Sequence, residues 1–168
     1  LDRVVTAPPA FAGTLAFFPV EDGRLEAFDV VSGTPAWTAE AAAATTPATG
    51  DGLVFVAGQD RLTALRQDSG QVVWRLPFSA ALAVPLVWDN GWLVAADTAG
   101  TLFAFRATDG ELIWRQELGV GVHAAPALAA DRVYVPLEDG RVQALDVSTG
   151  AKKWERHLGG PPNDMVAL

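Results

Sequence analysis

The sequence predicts an all-β fold built from four copies of one four-stranded antiparallel unit, and three observations support this. An alanine, a glycine six residues later and a tryptophan four residues after that recur four times along the chain. The recurrences are spaced by 37, 40 and 40 residues, and such a fixed period is typical of supersecondary units that are stacked or arranged radially. Short apolar runs alternate with tight-turn signals, and no helix is predicted. The alanines are Ala27, Ala64, Ala104 and Ala144, the glycines are Gly33, Gly70, Gly110 and Gly150, and the tryptophans are Trp37, Trp74, Trp114 and Trp154.

The last repeat shows the four strands most clearly. The apolar run at 126–129 and the segments 133–137, 141–147 and 152–158, which are separated by turns, are its predicted strands. Turn signals separate them, most clearly Glu138-Asp139-Gly140 and Ser148-Thr149-Gly150. A glycine in such a tight turn can take a left-handed backbone conformation at no steric cost. The four strands therefore form one antiparallel sheet.

The other repeats follow the same plan in chain order. Residues 19–30 of the first repeat match residues 136–147 at a constant offset of 117. Strands are expected at 53–57, 61–65 and 72–76 in the second repeat, and at 92–96, 101–105 and 111–115 in the third. The second strands are apolar at nearly every position, which indicates sheets that pack face to face. The alanine-rich segment 40–44 is shorter than the roughly 12 residues that an unsupported helix needs, so we expect it to cross between repeats.

The recurrence of alanine with tryptophan has a physical explanation. If the turn at Gly150 joins two antiparallel strands, Trp154 lies opposite or nearly opposite Ala144, and the small side chain leaves room for the indole. Burial of about 150–250 Å² of an aromatic side chain against the next sheet is worth several kcal/mol before entropy is subtracted. We therefore expect the twelve repeat residues to be structural docking residues. The alternative, a stacking platform for a sugar or a base, uses the same spacing.

Composition indicates one globular unit and excludes several classes of site. The chain has 168 residues, of which 50% are hydrophobic, so it can bury a core without disulfides. A net charge of −8 works against binding to nucleic acid or to an anionic membrane, and the basic pair Lys152-Lys153 fits the solvated side of a strand. The absence of cysteine excludes disulfides, thiolate nucleophiles and cysteine metal ligands. No apolar run approaches the roughly 18 residues that span a bilayer.

The repeat motif resembles that of a known family. The pattern Ala-x-Asp-x-x-Thr/Ser-Gly-x-x-x-Trp, preceded by Asp-Gly, is similar to the tryptophan-docking repeat of quinoprotein-type (PQQ-like) β-propellers. The resemblance covers essentially the whole chain and is complete in the first and last repeats. Arg66 and Arg106 stand where the family prefers Asp, which puts one turn hydrogen bond in question in the two middle repeats.

The resemblance implies a β-propeller of four-stranded antiparallel blades. We expect residues 1–168 to form a single propeller segment of about four blades, whereas rings of this family usually hold about seven or eight. The expected blades are residues 8–40, 46–78, 84–118 and 125–158, and residues 159–168 resemble the start of a further blade. Both ends are expected to lie in mid-unit, as in a segment of a larger propeller or a chain that associates through its open ends.

Two functional branches of the family differ in their chemistry. The dehydrogenases bind pyrroloquinoline quinone and calcium, commonly under a disulfide of neighbouring cysteines, and act on alcohols or sugars. The other branch is non-catalytic and includes the lipoprotein subunit of the outer-membrane β-barrel assembly machinery, a docking scaffold. The resemblance to that branch implies a protein-interaction scaffold in the periplasm or cell envelope, with protein partners and no cofactor. A quinone-dependent dehydrogenase and a sensory or ligand-binding ectodomain remain the alternatives.

Candidate catalytic, cofactor and metal residues are not found in the sequence. A calcium site needs about six to eight converging oxygen ligands, whereas the acidic residues coincide with turn signals. His123 and His157 are the only histidines, and neither has a partner at ligand spacing. Trp88 and Trp92 lie outside the repeat and flank the turn Asp89-Asn90-Gly91. They are candidate partner contacts, with ordinary packing as the alternative.

Overall fold

The structure, a computed structural model, describes residues 3–158, which form sixteen strands and no helix. The strands form four antiparallel sheets of four strands each, and within every sheet they follow one another in chain order. The prediction of an all-β fold made of four such sheets is confirmed. None of the described segments is a helix that could cross a membrane.

We number the sheets 1 to 4 along the chain. Sheet 1 contains β1 (Ala10–Ala12), β2 (Leu15–Val20), β3 (Arg24–Asp29) and β4 (Pro35–Glu40). Sheet 2 contains β5 (Ala48–Gly50), β6 (Leu53–Ala57), β7 (Arg61–Arg66) and β8 (Val72–Pro77). Sheet 3 contains β9 (Val87–Asp89), β10 (Trp92–Ala96), β11 (Thr101–Arg106) and β12 (Leu112–Glu117). Sheet 4 contains β13 (Ala127–Ala129), β14 (Arg132–Pro136), β15 (Arg141–Asp146) and β16 (Lys152–His157).

The sheets are grouped in two compact units. Unit 1 is Leu1–Ala80 and holds sheets 1 and 2, and unit 2 is Ala81–Leu168 and holds sheets 3 and 4. The alanine-rich segment predicted to cross between repeats does so without forming a helix. Its ends are fixed by backbone hydrogen bonds, from the Ala41 amide to the Gly23 carbonyl and from the Ala44 amide to the Ala57 carbonyl.

Two-residue turns set the register of the first hairpin in each sheet. In sheet 3, Asp89 pairs with Trp92 across Asn90 and Gly91, whose φ angles are 46° and 84°. Asparagine and glycine tolerate positive φ, and such a turn matches the twist of the strands that it joins. The turn at Asp51 and Gly52 in sheet 2 has the same character, with φ angles of 50° and 73°.

Each unit has a hydrophobic core between its two sheets. In unit 1, Phe17 and Leu25 of sheet 1 meet Val54, Val56 and Leu65 of sheet 2. The core of unit 2 is larger and joins sheets 3 and 4 through a set of fully buried side chains. These include Val94, Leu102, Val133, Val135, Leu137 and Leu145. Every residue of β6 is buried, which explains why its sequence is apolar without alternation.

Candidate functional site

The repeat tryptophan of sheet 3 is docked on the glycine turn of sheet 4. The Trp114 indole lies against Gly150, where an added Cβ would be only 2.8 Å from Cδ2 of the ring. Its Nε1 donates a hydrogen bond of 2.7 Å to the Val147 carbonyl. We call this combination a docking seat, meaning the repeat glycine together with the carbonyl three residues before it. The seat holds both the ring and the polar edge of the indole, and Trp114 is 9% exposed.

Unit 1 contains a second filled docking seat with the same geometry. The Trp37 indole of sheet 1 lies against Gly70 of sheet 2, where an added Cβ would be 2.5 Å from Cε3 of the ring. Trp37 Nε1 donates a hydrogen bond of 2.7 Å to the Gln67 carbonyl. Glycine is required at these seats because the turn has positive φ, 68° at Gly70 and 72° at Gly150, and because no space remains for a side chain.

Each repeat tryptophan lies directly opposite the repeat alanine on the neighbouring strand. The pairs are Ala27 with Trp37, Ala64 with Trp74, Ala104 with Trp114 and Ala144 with Trp154. In all four sheets the pairing register shifts directly after the alanine, so that the outer strand contains a β-bulge. The motif alone did not predict the bulge. The bulge nevertheless accounts for the spacing between the repeat glycine of the turn and the tryptophan.

An aromatic ring on the second strand supports the tryptophan in three of the sheets. Ring centroids are 5.7 Å apart for Phe17 and Trp37 and 6.0 Å apart for Phe55 and Trp74. In sheet 4 the pair is Tyr134 and Trp154, at 5.9 Å. The four repeat alanines are completely buried, at 0% exposure. The alanine thus lies beneath both rings and lets them meet across the sheet.

The aspartate of the motif closes the turn that carries the seat. In sheet 4, Asp146 Oδ1 accepts hydrogen bonds from the Ser148 amide, the Thr149 amide and the Ser148 hydroxyl at 3.0, 3.1 and 2.6 Å. The Lys153 ammonium lies 3.0 Å from Asp146 Oδ2. The hydrogen bonds from Ser148 and the interaction with Lys153 hold the pKa of this carboxyl well below its usual range.

The two middle repeats keep the turn without this carboxylate. The Gly70 amide bonds to the Arg66 carbonyl at 3.0 Å, and the Gly110 amide bonds to the Arg106 carbonyl at 2.9 Å. The same backbone bond, at 2.8 Å, is present at Gly150 and Asp146. The Arg106 guanidinium instead forms ion pairs with Asp109 and Glu111. The turn therefore depends on the backbone bond, and the aspartate adds to it.

The repeat residues at the two ends of the described chain differ from those between. No atom of residues 3–158 lies within 4 Å of a Cβ added at Gly33, so no indole from these residues occupies its seat. Trp154 is 37% exposed, whereas the other repeat tryptophans are buried or half-buried. In between, Trp74 is half-buried on β8, and Gly110 has a φ of 75° in the turn before β12.

Trp88 and Trp92 lie on the first hairpin of sheet 3, on either side of its two-residue turn. Both side chains are half-buried, and Asn90 at the tip is exposed. Trp92 packs against the core of unit 2. The indole Nε1 of Trp88 is buried and has no hydrogen-bond partner among residues 3–158. The two rings therefore combine a packing role with partial exposure.

Acidic and histidine side chains do not converge on one point in the part of the chain that is described. Residues 3–158 contain no group of three or more His, Cys, Asp or Glu that could hold a metal ion. A cleft of about 510 Å³ in unit 1 is lined by the alanines of the crossing and by four charged residues, Glu40, Asp60, Arg61 and Arg75. There, Arg61 forms an ion pair with Asp60 at 2.7 Å, and Arg75 donates to the Glu40 carbonyl at 2.8 Å. Asp60, Arg61 and Arg75 are thus engaged with the protein itself.

Comparison with known proteins gives a family match over most of the chain. The model of the family described as outer membrane protein assembly factor BamB matches residues 21–89 and 60–167. The protein of that name from Bordetella pertussis is 28% identical over 160 residues, covering 91% of this chain and 42% of the relative. The chain therefore spans less than half the length of this curated relative.

Solved structures show the same architecture. BamB from Moraxella catarrhalis aligns with a TM-score of 0.78 at 21% identity, covering 94% of this chain and 50% of that one. Quinohemoprotein alcohol dehydrogenase from Comamonas testosteroni aligns with a TM-score of 0.73 at 19% identity, covering 92% of this chain and 35% of that one. At these identities the likeness concerns the fold alone, and it confirms the prediction of a PQQ-like β-propeller built of four-stranded blades.

Proposed function

The chain belongs to the family of outer membrane protein assembly factor BamB, and on this premise we propose that it is a non-catalytic protein-interaction scaffold in outer-membrane protein assembly. The observation that most supports this proposal is that carboxylates and indoles of the repeat have structural roles. Carboxylates such as Asp146 close turns, and the indoles of Trp37 and Trp114 join neighbouring sheets. The corresponding compartment is the periplasm.

Within this role we propose the hairpin of Trp88 and Trp92 as a partner contact. Its rigid two-residue turn, with Asn90 exposed at the tip, holds two half-exposed indoles that the repeat does not require. Tryptophan is enriched among the residues that dominate binding energy at interfaces, because a large rigid ring buries much area at little entropic cost. The net charge of −8 favours a partner with a basic surface.

A site-specific crosslinking experiment tests the proposal. A photo-crosslinking residue replaces Asn90, and the chain is exported to the periplasm of a Gram-negative bacterium. The matched control carries the same residue at Asp51, at the tip of the equivalent hairpin of sheet 2, which is also exposed and has a positive φ. We expect adducts with components of the outer-membrane assembly machinery from position 90 and fewer from position 51.

The outcomes separate the two parts of the proposal. Adducts with the assembly machinery from position 51 but not from position 90 would reject the hairpin while keeping the scaffold function. No adduct with that machinery from either position would count against the function itself. Saturable binding of pyrroloquinoline quinone with calcium, accompanied by dye-linked oxidation of an alcohol or a sugar, would favour a dehydrogenase instead.

A further inference from the structure

We propose that the cleft of unit 1 binds the carboxylate group of a ligand through Arg61, Thr63 and Arg75, which all line it. Such binding goes beyond the scaffold function and does not depend on it, because the support comes from a comparison of two sheets of the chain. In sheet 4 an arginine and an amide hold a carboxylate of the protein itself. Sheet 2 has donors at the same positions, but the carboxylate is missing.

Sheet 4 shows how a carboxylate is held at this position. Glu155 on β16 pairs with Gln143 on β15. Its Oε1 lies 3.0 Å from Arg141 Nη1, and its Oε2 accepts a hydrogen bond of 2.8 Å from Gln143 Nε2. Lys152 Nζ lies 3.4 Å from the same Oε2. Arg141 uses its two other nitrogens, Nε and Nη2, to pair with Asp139, both at 2.6 Å. One guanidinium thus serves a turn carboxylate and a carboxylate on the neighbouring strand.

Sheet 2 repeats the donors and replaces the carboxylate by a cation. Its strands β7 and β8 correspond to β15 and β16 at an offset of 80 residues, as from Trp74 to Trp154, and the pairing register is the same. Arg61 and Thr63 therefore stand at the positions of the arginine and the glutamine that hold the carboxylate in sheet 4. Arg75 pairs with Thr63 and stands at the position of the glutamate.

The donors of sheet 2 keep unused hydrogen-bonding groups. Arg61 pairs with Asp60 through Nε and Nη2, at 2.7 and 2.8 Å. Its Nη1, whose counterpart in sheet 4 binds the carboxylate, has no hydrogen bond or ion pair with residues 3–158. Arg75 donates only through Nη2, to the Glu40 carbonyl at 2.8 Å. Thr63 is 3% exposed, and its hydroxyl makes no hydrogen bond with the same residues. A buried hydroxyl in this state favours a ligand that bonds to it.

Small residues open the space beside these donors. The Gly58 amide bonds to the Arg61 carbonyl at 2.8 Å, and the Leu137 amide bonds to the corresponding arginine carbonyl of sheet 4 at the same distance. Gly58 thus stands at the position of Leu137, whose side chain is completely buried in the core of unit 2. The alanines 41–44 form much of the remaining lining. The resulting volume of about 510 Å³ is typical of a site for a small ligand or a short peptide segment.

The charges at the cleft favour an anionic ligand with a planar carboxylate. Arg75 forms no ion pair with residues 3–158, and Asp60 uses only part of the Arg61 guanidinium. Glu40, the other acidic residue of the lining, is exposed and forms no ion pair with the described residues. Guanidinium groups bind carboxylates through charge-assisted hydrogen bonds, and a threonine hydroxyl can donate to the second oxygen. The alanines add apolar surface for the carbon chain of a short organic acid or of a glutamate side chain.

Titration of the 168-residue chain with two probes tests the proposal and identifies the source of the carboxylate. The first probe is glutarate, and the second is a blocked tripeptide with a central glutamate. Amide NMR spectra should show saturable shifts at Thr63 and at residues 41–44. The neutral controls are glutaramide and the tripeptide with a central glutamine, and both should bind about tenfold or more weakly. Binding of glutarate alone would indicate a free organic acid, and binding of the peptide alone would indicate an acidic peptide segment.

Variants at one exposed position test the residues. Arg75→Gln should weaken the binding by about tenfold or more, because it removes a charged donor. Arg75→Glu gives sheet 2 the carboxylate that sheet 4 has at this position, so it should abolish binding while the fold keeps its thermal stability. Arg66→Gln is the matched control, since Arg66 is an exposed arginine of the same sheet outside the cleft. Its affinity should stay within about twofold of the wild type.

Several outcomes would overturn the proposal. These are the absence of saturable binding by either probe, equal binding of the neutral controls, and binding that survives Arg75→Glu. An equal loss of affinity in Arg66→Gln and Arg75→Gln would also overturn it, because the effect would then come from net charge and not from the cleft.

Discussion

The docking seats at Gly70 and Gly150 use the same glycine geometry but differ in how their turns are held. The seat of unit 2 has Asp146 at the start of its turn, and the carboxylate accepts three hydrogen bonds there. The seat of unit 1 has Arg66 at the same position and relies on the backbone bond from the Gly70 amide. Both seats nevertheless hold an indole with an Nε1 to carbonyl distance of 2.7 Å. The glycine and the backbone bond therefore define the seat, while the aspartate only reinforces it.

The seats also differ in how much apolar surface surrounds the indole. Trp114 belongs to the larger core of unit 2 and is 9% exposed. Trp37 is half-buried and, like the partly buried Ala39 and Ala43, packs against a smaller core. Since burial determines the hydrophobic contribution, we expect the two tryptophans to contribute unequally.

The largest expected effect comes from removing the buried indole. Trp114→Ala should lower the free energy of unfolding by about 3–5 kcal/mol, the usual cost of removing a buried aromatic side chain. Trp37→Ala should fall at the lower end of that range, because its ring is already partly solvated. Urea denaturation followed by circular dichroism measures both. Equal losses would show that burial does not distinguish the seats, and near-native stability of Trp114→Ala with lost partner binding would reassign that residue to function.

The next effect comes from filling a seat with a methyl group. Gly70→Ala should cost about 2–4 kcal/mol, since positive φ strains alanine and its Cβ would lie 2.5 Å from the Trp37 ring. Gly52→Ala, in the same unit, has the same backbone conformation but open space, so it should cost only the strain, about 1–2 kcal/mol. The difference between the two variants, measured by the same denaturation, isolates the contact with the indole. Identical costs would contradict a tightly filled seat.

A smaller effect should come from giving the turn of unit 1 the acceptor that it lacks. Arg66→Asn introduces a side-chain oxygen at the position of Asp146, where it can accept hydrogen bonds from the following amides. Arg66 is exposed, and its side chain makes no hydrogen bond with residues 3–158, so the substitution removes no such bond. We expect a gain of about 0.5–1.5 kcal/mol in the free energy of unfolding. A loss of stability would mean that the turn at Gly70 cannot accommodate the side-chain bond.

The smallest effect concerns the charge of Asp146 and depends on pH. Because hydrogen bonds from Ser148 and the nearby Lys153 lower the pKa of this carboxyl in the folded state, its ionised form stabilises the fold. That contribution is complete above the unfolded-state pKa of about 4 and is lost as the pH falls through the lower folded-state value. Asp146→Asn should therefore be less stable than the wild type at neutral pH, and the difference should shrink progressively as the pH falls below about 4. Denaturation curves at several pH values measure this, and a gap independent of pH would contradict it.

Much of the fold could be predicted from the sequence because the same motif occurs four times. A glycine that can take positive φ and a tryptophan that needs a small residue opposite it are strong local constraints, and they fixed the all-β class and the pairing of alanine with tryptophan. The β-bulge after each alanine was not foreseen, because it changes the pairing without changing the residue types. The candidate contact at Trp88 and Trp92 also remained open, since exposure depends on neighbours that the motif does not specify.

The sequence by itself determined the repeating sheet, its turns and the chemistry of the docking residues, because these follow from backbone conformation and from side-chain size over short distances. Only the tertiary structure decided which docking residues are used. Gly70 and Gly150 each hold an indole, Gly33 has open space above it, and Trp154 is partly exposed although it has the same motif as Trp114. The physical reason is that a docking seat is completed by a neighbouring sheet, and the local pattern is identical whether or not that neighbour is present.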